Sequence, residues 1–189
     1  MFFDELDAFL TDFKTRNFPQ DEKKPITEEE DIIDELLDLY LLAYFEGSQD
    51  AGRELLIDVE PSVEDAQKAI NRPIEGKTFE ERVREYLNGD MGKTTGTPGE
   101  AIARVADTDS VRIYNEAKLA TAREIGATEK TWNTMMDDKV RDTHAPLDGV
   151  SAPIDGYFYT WDADKAMAPG QFDKAENNVN CRCWLTFSK

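Results

Sequence analysis

One histidine and two cysteines are all this chain has of either type, and all three fall in its C-terminal third: His144, Cys181 and Cys183. Imidazole nitrogen and thiolate sulfur are the donors that hold Zn2+ in tetrahedral protein sites. Cys181-Arg182-Cys183 runs into Trp184-Leu185-Thr186-Phe187, and that aromatic and β-branched composition suits a strand. In a strand, residues i and i+2 share a face, so both thiols project together and Arg182 the other way. A disulfide across so short a span is strained, because its Cβ separation and dihedral are narrowly constrained. Two convergent thiolates suit one Zn2+ better, with His144 as third ligand. Asp142 is the candidate fourth ligand, with Asp138, Asp148 or a water as alternatives. The competing reading makes both cysteines small buried hydrophobes and His144 a hydrogen-bonded structural residue. A catalytic version also exists: an open metal position activates water, and Asp138, Asp142 or Asp148 serves as general base of a zinc-dependent hydrolase. No glutamate accompanies His144 in the protease spacing.

These donors need elements that bring them together. Glu100 to Ile125 reads as a long helix with small and branched apolar contacts at Ile102, Val105, Ile113, Ala117 and Ala120, stopped by Gly126. Asn115 lies close to its packed side, as a clamp onto the segment that follows or as a surface amide. Thr131 to Thr134 suggests a strand. Pro146-Leu147-Asp148-Gly149 and Pro153-Ile154-Asp155-Gly156 are near copies, each closing on the Asp-Gly turn signal. Tyr157 to Trp161 reads as an aromatic strand. Met167 to Val179 is a polar loop leading back to the thiols. The fold class expected is α+β: a helical N-terminal part, then a long helix and a small antiparallel β module closed by the His/Cys cluster. So small a core gains from a metal staple.

Asp137-Asp138-Lys139-Val140-Arg141-Asp142-Thr143-His144, with Leu147-Asp148-Gly149, Pro169-Gly170 and Asn180-Cys181-Arg182-Cys183, resembles the signature of phage Mu F-like head morphogenesis proteins, or minor capsid proteins. Upstream, Thr108-Asp109-Ser110, Asn115, Lys118 and Ala122 resemble the positions that precede it. The likeness runs from about Glu100 to Phe187. Asp107 stands where the family often has Arg, and Asp109 where it often has Glu. Some relatives carry Cys where this chain has Arg141, which no metal accepts as a ligand. The resemblance implies a non-enzymatic assembly component near the portal inside the procapsid. Its partners would be the portal protein, a scaffold or the major capsid protein, and its location the bacterial host cytoplasm during assembly and the virion head. Asp138, Arg141, Asp148, Gly149, Asn180 and Asn115 would form its structural signature. ADP-ribosyl transfer occurs in some proteins sharing the module, on separate extensions that this sequence does not show.

The rest of the chain is helical and acidic. Phe2, Phe3, Leu6, Phe9, Leu10 and Phe13 recur at helical spacing, in a helix that docks on the body or waits for a partner. Asn17 to Pro25 reads as a linker. Thr27-Glu28-Glu29-Glu30 is a capping-box pattern, followed by an apolar face at Ile33, Leu36, Leu37, Tyr40, Leu41 and Tyr44. Gly47 is expected to end or kink that helix. Ser62 opens a short helix, and Thr78-Phe79-Glu80-Glu81 caps another. The Gly-rich run from Asn88 to Gly99 is a loop. Its Gly92-Lys93-Thr94 lacks the earlier glycine and the preceding strand of a phosphate loop. The expected divisions are 1–25, an N-terminal helix and linker; 26–95, an acidic helical region; and 96–189, the signature module. The net charge of −18, from 40 acids and 22 bases, sits mostly ahead of Pro98. It repels nucleic acid, so no sequence-specific nucleic-acid partner is expected. No apolar run approaches a membrane span. The acidic start, Met1-Phe2-Phe3-Asp4-Glu5, predicts no secretory leader, and two close cysteines suit a reducing compartment.

Overall fold

A computed structural model describes residues 2–19, 25, 27–92 and 94–189. Five helices come first: α1 (Phe2–Asn17), α2 (Glu29–Leu55), α3 (Val63–Ile70), α4 (Phe79–Leu87) and α5 (Pro98–Glu124). The strands follow: β1 (Glu129–Asn133), β2 (Ser151–Pro153), β3 (Phe158–Tyr159), β4 (Lys165–Ala166) and, after the one-turn helix α6 (Ala175–Asn178), β5 (Trp184–Ser188). β1 is the middle of an antiparallel sheet of order β2-β1-β5, and β3 pairs antiparallel with β4. This is the α+β arrangement expected. Among the described residues no helix is long and apolar enough to cross a membrane.

The long helix α5 is the spine. It opens on a complete capping box, in which the Thr97 hydroxyl accepts from Glu100 N–H while the Glu100 carboxylate accepts from Thr97 N–H. Pro98 begins the helix, where its missing donor costs nothing. α2 lies against α5, and Gly47 is where the two backbones meet. A Cβ at Gly47 would sit 2.2 Å from the Tyr114 carbonyl oxygen. The helix runs on past Gly47 to Leu55 instead of ending there: the glycine is kept for close approach.

Thr27 does not cap α2. The cap position falls on Glu28, which makes no side-chain cap bond. Glu29 and Glu30 are held instead by the Arg84 guanidinium of α4, so the carboxylate needed for the box is engaged across the bundle. The second predicted box is present, with Thr78 and Glu81 satisfying each other's backbone N–H.

α1 docks on the body. Phe2 stacks on Tyr114 at 4.3 Å and Phe3 meets Trp184 at 5.9 Å. Phe2, Phe3, Leu6 and Phe13 are buried in one cluster with Ile33, Leu36, Tyr40, Val83, Ile102 and Ile113. Burying each such side chain contributes about 1.5–3 kcal/mol. Of the predicted linker, Asn17 is the buried last residue of α1, and residues 20–24 lie outside those described.

A second cluster joins Leu119 of α5 to Trp132, Leu147, Phe158, Phe172, Cys181, Cys183 and Leu185. Two strand expectations need correction. The aromatic strand shrinks to Phe158–Tyr159, with Tyr159 and Trp161 exposed. The cysteines precede β5 and are not part of it.

Candidate metal centre

The segment Asp137 to His144 is a chain of turns, and its last turn aims the histidine inward. His144 N–H bonds to the Arg141 carbonyl at 2.9 Å, and the His144 carbonyl accepts from Leu147 N–H at 2.9 Å. The ring is fixed between two aromatic walls: it stacks on Phe172 at 5.0 Å and meets the edge of Trp132 at 5.7 Å. Its Nδ1 lies 3.7 Å from Cys181 Sγ and 3.6 Å from Cys183 Sγ. All three residues are buried, with their donor atoms within 4.8 Å of one another. The cysteines are unbridged.

The spacing fits a tetrahedral ion. Zn–S of about 2.3 Å and Zn–N of about 2.0–2.1 Å, at the tetrahedral angle, put S and N about 3.6 Å apart. The charge state fits as well. The Cys183 contact, opposed by burial and helped by His144, holds Cys181 well below the usual thiol range. The same contact, reinforced by burial, pushes Cys183 well above it. One thiol of the pair is thus favoured as thiolate, and a bound dication would favour that form of both. The Trp132 N–H makes no hydrogen bond of normal geometry, yet its pull on Cys183 favours the thiolate. His144 Nε2 is buried and has no hydrogen-bond partner among the described residues, so the outer carboxylate or carbonyl that usually orients a ligating imidazole is replaced by ring packing.

The convergence foreseen for a strand is achieved by a tight loop. Asn180, just before the thiols, has φ +52, a left-handed conformation that Asn tolerates better than most residues. Its N–H bonds to Thr108 Oγ of α5 at 3.2 Å. Arg182 points away, pairing with Asp137 at 3.4 Å and with Asp7 of α1 at 3.3 Å.

The signature residues divide by role. Asn115 is the clamp: its amide donates to the Cys183 carbonyl at 3.0 Å, and its oxygen accepts from Leu185 N–H at 3.1 Å. Arg141 donates to the Val179 carbonyl, bracing the loop that carries the thiols. Asp148 Oδ1 accepts from Thr134 N–H at 2.7 Å and from its hydroxyl at 2.9 Å. Gly149, at φ +72, turns the chain so that its N–H reaches the Trp132 carbonyl at 2.8 Å. Asp138 is exposed and makes no hydrogen bond among the described residues. Asp142 is exposed too, its main-chain oxygen accepting from Trp161 at 3.3 Å. Neither carboxylate belongs to the buried donor group, which among the described residues consists of His144 and the two thiols.

Three supports have roles that sequence reasoning did not assign, although Gly170 and Asp109 lie in the signature segments. Asp164 accepts from the N–H groups of Lys165, Asp173 and Lys174 and from the Asn177 amide, fixing the polar loop. Burial pushes its carboxyl up, but these donors win and hold it below the usual range. Gly170, at φ +81, lies on α5 so closely that a Cβ would sit 2.9 Å from Arg112 Cα, which accounts for the Pro-Gly pair. Asp109 is fully buried and bonded to Arg82 at 2.5 Å. The available signals were the Asp162-x-Asp164 pair and the phase of Asp109 on the buried side of α5.

A small β module strapped to a long helix, with a buried His/Cys/Cys group at the strap, defines the class. The chain belongs to the Phage Mu protein F like protein family, whose model matches residues 63–186. It is 26% identical to minor head protein GP7 of Bacillus phage SPP1, over 82% of this chain and 61% of that protein. It is 32% identical to the NAD(+)--arginine ADP-ribosyltransferase EFV of Enterococcus faecalis, over 60% of this chain and 29% of that protein. The chain thus spans about three-fifths of the first relative and under a third of the second. No solved structure matches at a significant level.

Proposed function

We propose that this chain is a non-enzymatic component of phage or prophage head morphogenesis, acting near the portal inside the procapsid. Its module at 96–189 would be closed by one structural Zn2+ on His144, Cys181 and Cys183. Membership of the Mu F-like family and the likeness to a minor head protein support the assembly role. The observation that carries the structural reading of the metal is burial: all three donors are shut behind Trp132 and Phe172. A hydrolytic metal needs an open position and a base beside it, and Asp138 and Asp142 face solvent instead. Zn2+ would here supply cross-linking between the signature turn and the thiol loop. The likeness to the transferase covers under a third of that protein, which supports a shared assembly module more than a shared activity.

The partner would be a portal, scaffold or major capsid protein, met in the host cytoplasm during assembly and in the head. Co-expression with a portal protein encoded nearby tests this. Co-purification of the two is the result expected. Failure to associate with portal, scaffold or major capsid protein, with the fold intact, would overturn the reading.

A further inference from the structure

A groove runs between α1 and α5 and is closed at one end by the signature turn. Two adjoining cavities of about 880 and 590 Å3 make it up, sharing Asp7, Leu10, Lys14, Ala103 and Lys139. Leu10, Pro19 and Ala103 give the larger cavity its apolar wall, with Thr11, Thr15 and Lys14 among its polar lining. Arg104, Lys139 and Arg141 line the smaller one.

The charges there run against the rest of the chain. With 40 acids to 22 bases, most described cations are held by carboxylates, as Arg53, Lys68, Arg72, Lys77 and Arg84 are. Inside the groove Lys14 pairs with Glu100, and Arg182 with Asp7 and Asp137. Arg104 and Lys139, by contrast, make no ion pair within 4 Å among the described residues, although Arg104 helps hold the Glu100 carboxyl down, and Arg141 donates to a carbonyl while its charge acts on Asp107. Among the described lining residues five cations (Lys14, Arg104, Lys139, Arg141, Arg182) meet three acids (Asp7, Glu100, Asp107), an excess of two positive charges in a chain of net charge −18, and that local excess defines the complement.

We infer that this groove docks an acidic amphipathic segment of a partner protein, its apolar residues on Leu10, Pro19 and Ala103 and its carboxylates on Arg104, Lys139 and Arg141. An amphipathic helix laid in a groove reads such a surface at i, i+3 and i+4. The apolar lining favours a peptide over a bare anion or a nucleic-acid backbone. The chain's overall negative field is screened beyond about 8 Å at physiological salt, so the contact cations decide. The groove's existence does not depend on the head-assembly reading; only the partner's identity rests on it.

The test uses the full chain, labelled with nitrogen-15, and a capped synthetic peptide of about fifteen residues with Leu and Glu at helical spacing. The expected result is saturable shifts at Leu10, Ala103, Arg104 and Lys139, weakening as salt rises. Arg104→Glu with Lys139→Glu should weaken binding about tenfold or more. Lys139→Glu alone, at an exposed position, should weaken it less with the melting temperature unchanged. A Lys-for-Glu peptide should not bind. Equal binding of that control, shifts confined to other surfaces, indifference to the charge reversals, or no saturation at millimolar peptide would each overturn the inference. So would tighter binding of inorganic phosphate or a single-stranded oligonucleotide at the same residues. Because the peptide is synthetic, failure here leaves the portal co-purification result standing on its own.

Discussion

Asn115 and Cys183 are joined through the backbone: the Asn115 amide donates to the Cys183 carbonyl at 3.0 Å, while its oxygen takes Leu185 N–H on the other side of the intervening residue. One buried side chain thus fixes the exit of the thiol loop into β5 and anchors the module to α5.

Asn115→Ala removes both bonds and leaves a buried carbonyl and a buried N–H unsatisfied. The expected cost is about 2–4 kcal/mol. Urea titration followed by tryptophan fluorescence reads it directly, since Trp132 and Trp184 flank the clamp. A loss under half a kilocalorie, on the order of a surface substitution, would remove Asn115 from this role.

Gly170 and Gly126 share a left-handed backbone, at φ +81 and φ +86, yet only Gly170 has a neighbour in the way. Gly126→Ala should cost about 1 kcal/mol for the backbone alone. Gly170→Ala should cost that plus about 1–3 kcal/mol for driving Cβ into Arg112. Thermal melts of the two variants check the difference. Equal costs would show that the loop does not press on α5.

Asp107 gives the pH dependence. Burial, then repulsion from Asp7, raises its carboxyl to about 6, against a partial offset from Arg182. A carboxyl raised on folding binds its proton more tightly in the native state. Its contribution is therefore present below about pH 4 and lost as pH rises through about 6. Asp107→Asn should accordingly stabilise the chain at pH 7, by about 1–2 kcal/mol, and leave it unchanged near pH 4. Denaturation at both values decides it. A variant less stable at pH 7 would mean that pairing with Arg182 outweighs burial.

The sequence made the helices legible where local chemistry was self-contained. Thr78 with Glu81 satisfies its own turn, and α5 carries small and branched apolar residues over many turns with Gly126 at its end, so both could be placed without knowing their neighbours. Thr27 and Gly47 misled for the opposite reason: what they do depends on Arg84 and Tyr114, which arrive from distant helices. The His/Cys/Cys grouping was legible from donor types alone, although a loop held by Asn180 and Arg141 brings the thiols together instead of the pleat of a strand. Asp109 and Asp164 were invisible in their roles, because a buried carboxylate and a surface one look the same until their donors are assembled. Strand lengths were overread at Tyr157 to Trp161, where aromatic composition serves an exposed edge.

His144, Cys181 and Cys183 are proposed to hold one metal ion between them. Elemental analysis of the purified full chain, beside Cys183→Ser and His144→Ala, tests it most directly. Close to one zinc per chain is expected, lost in both variants together with the stability of the C-terminal module. A zinc-free chain whose melting temperature is unmoved by added zinc or by a chelator would contradict it.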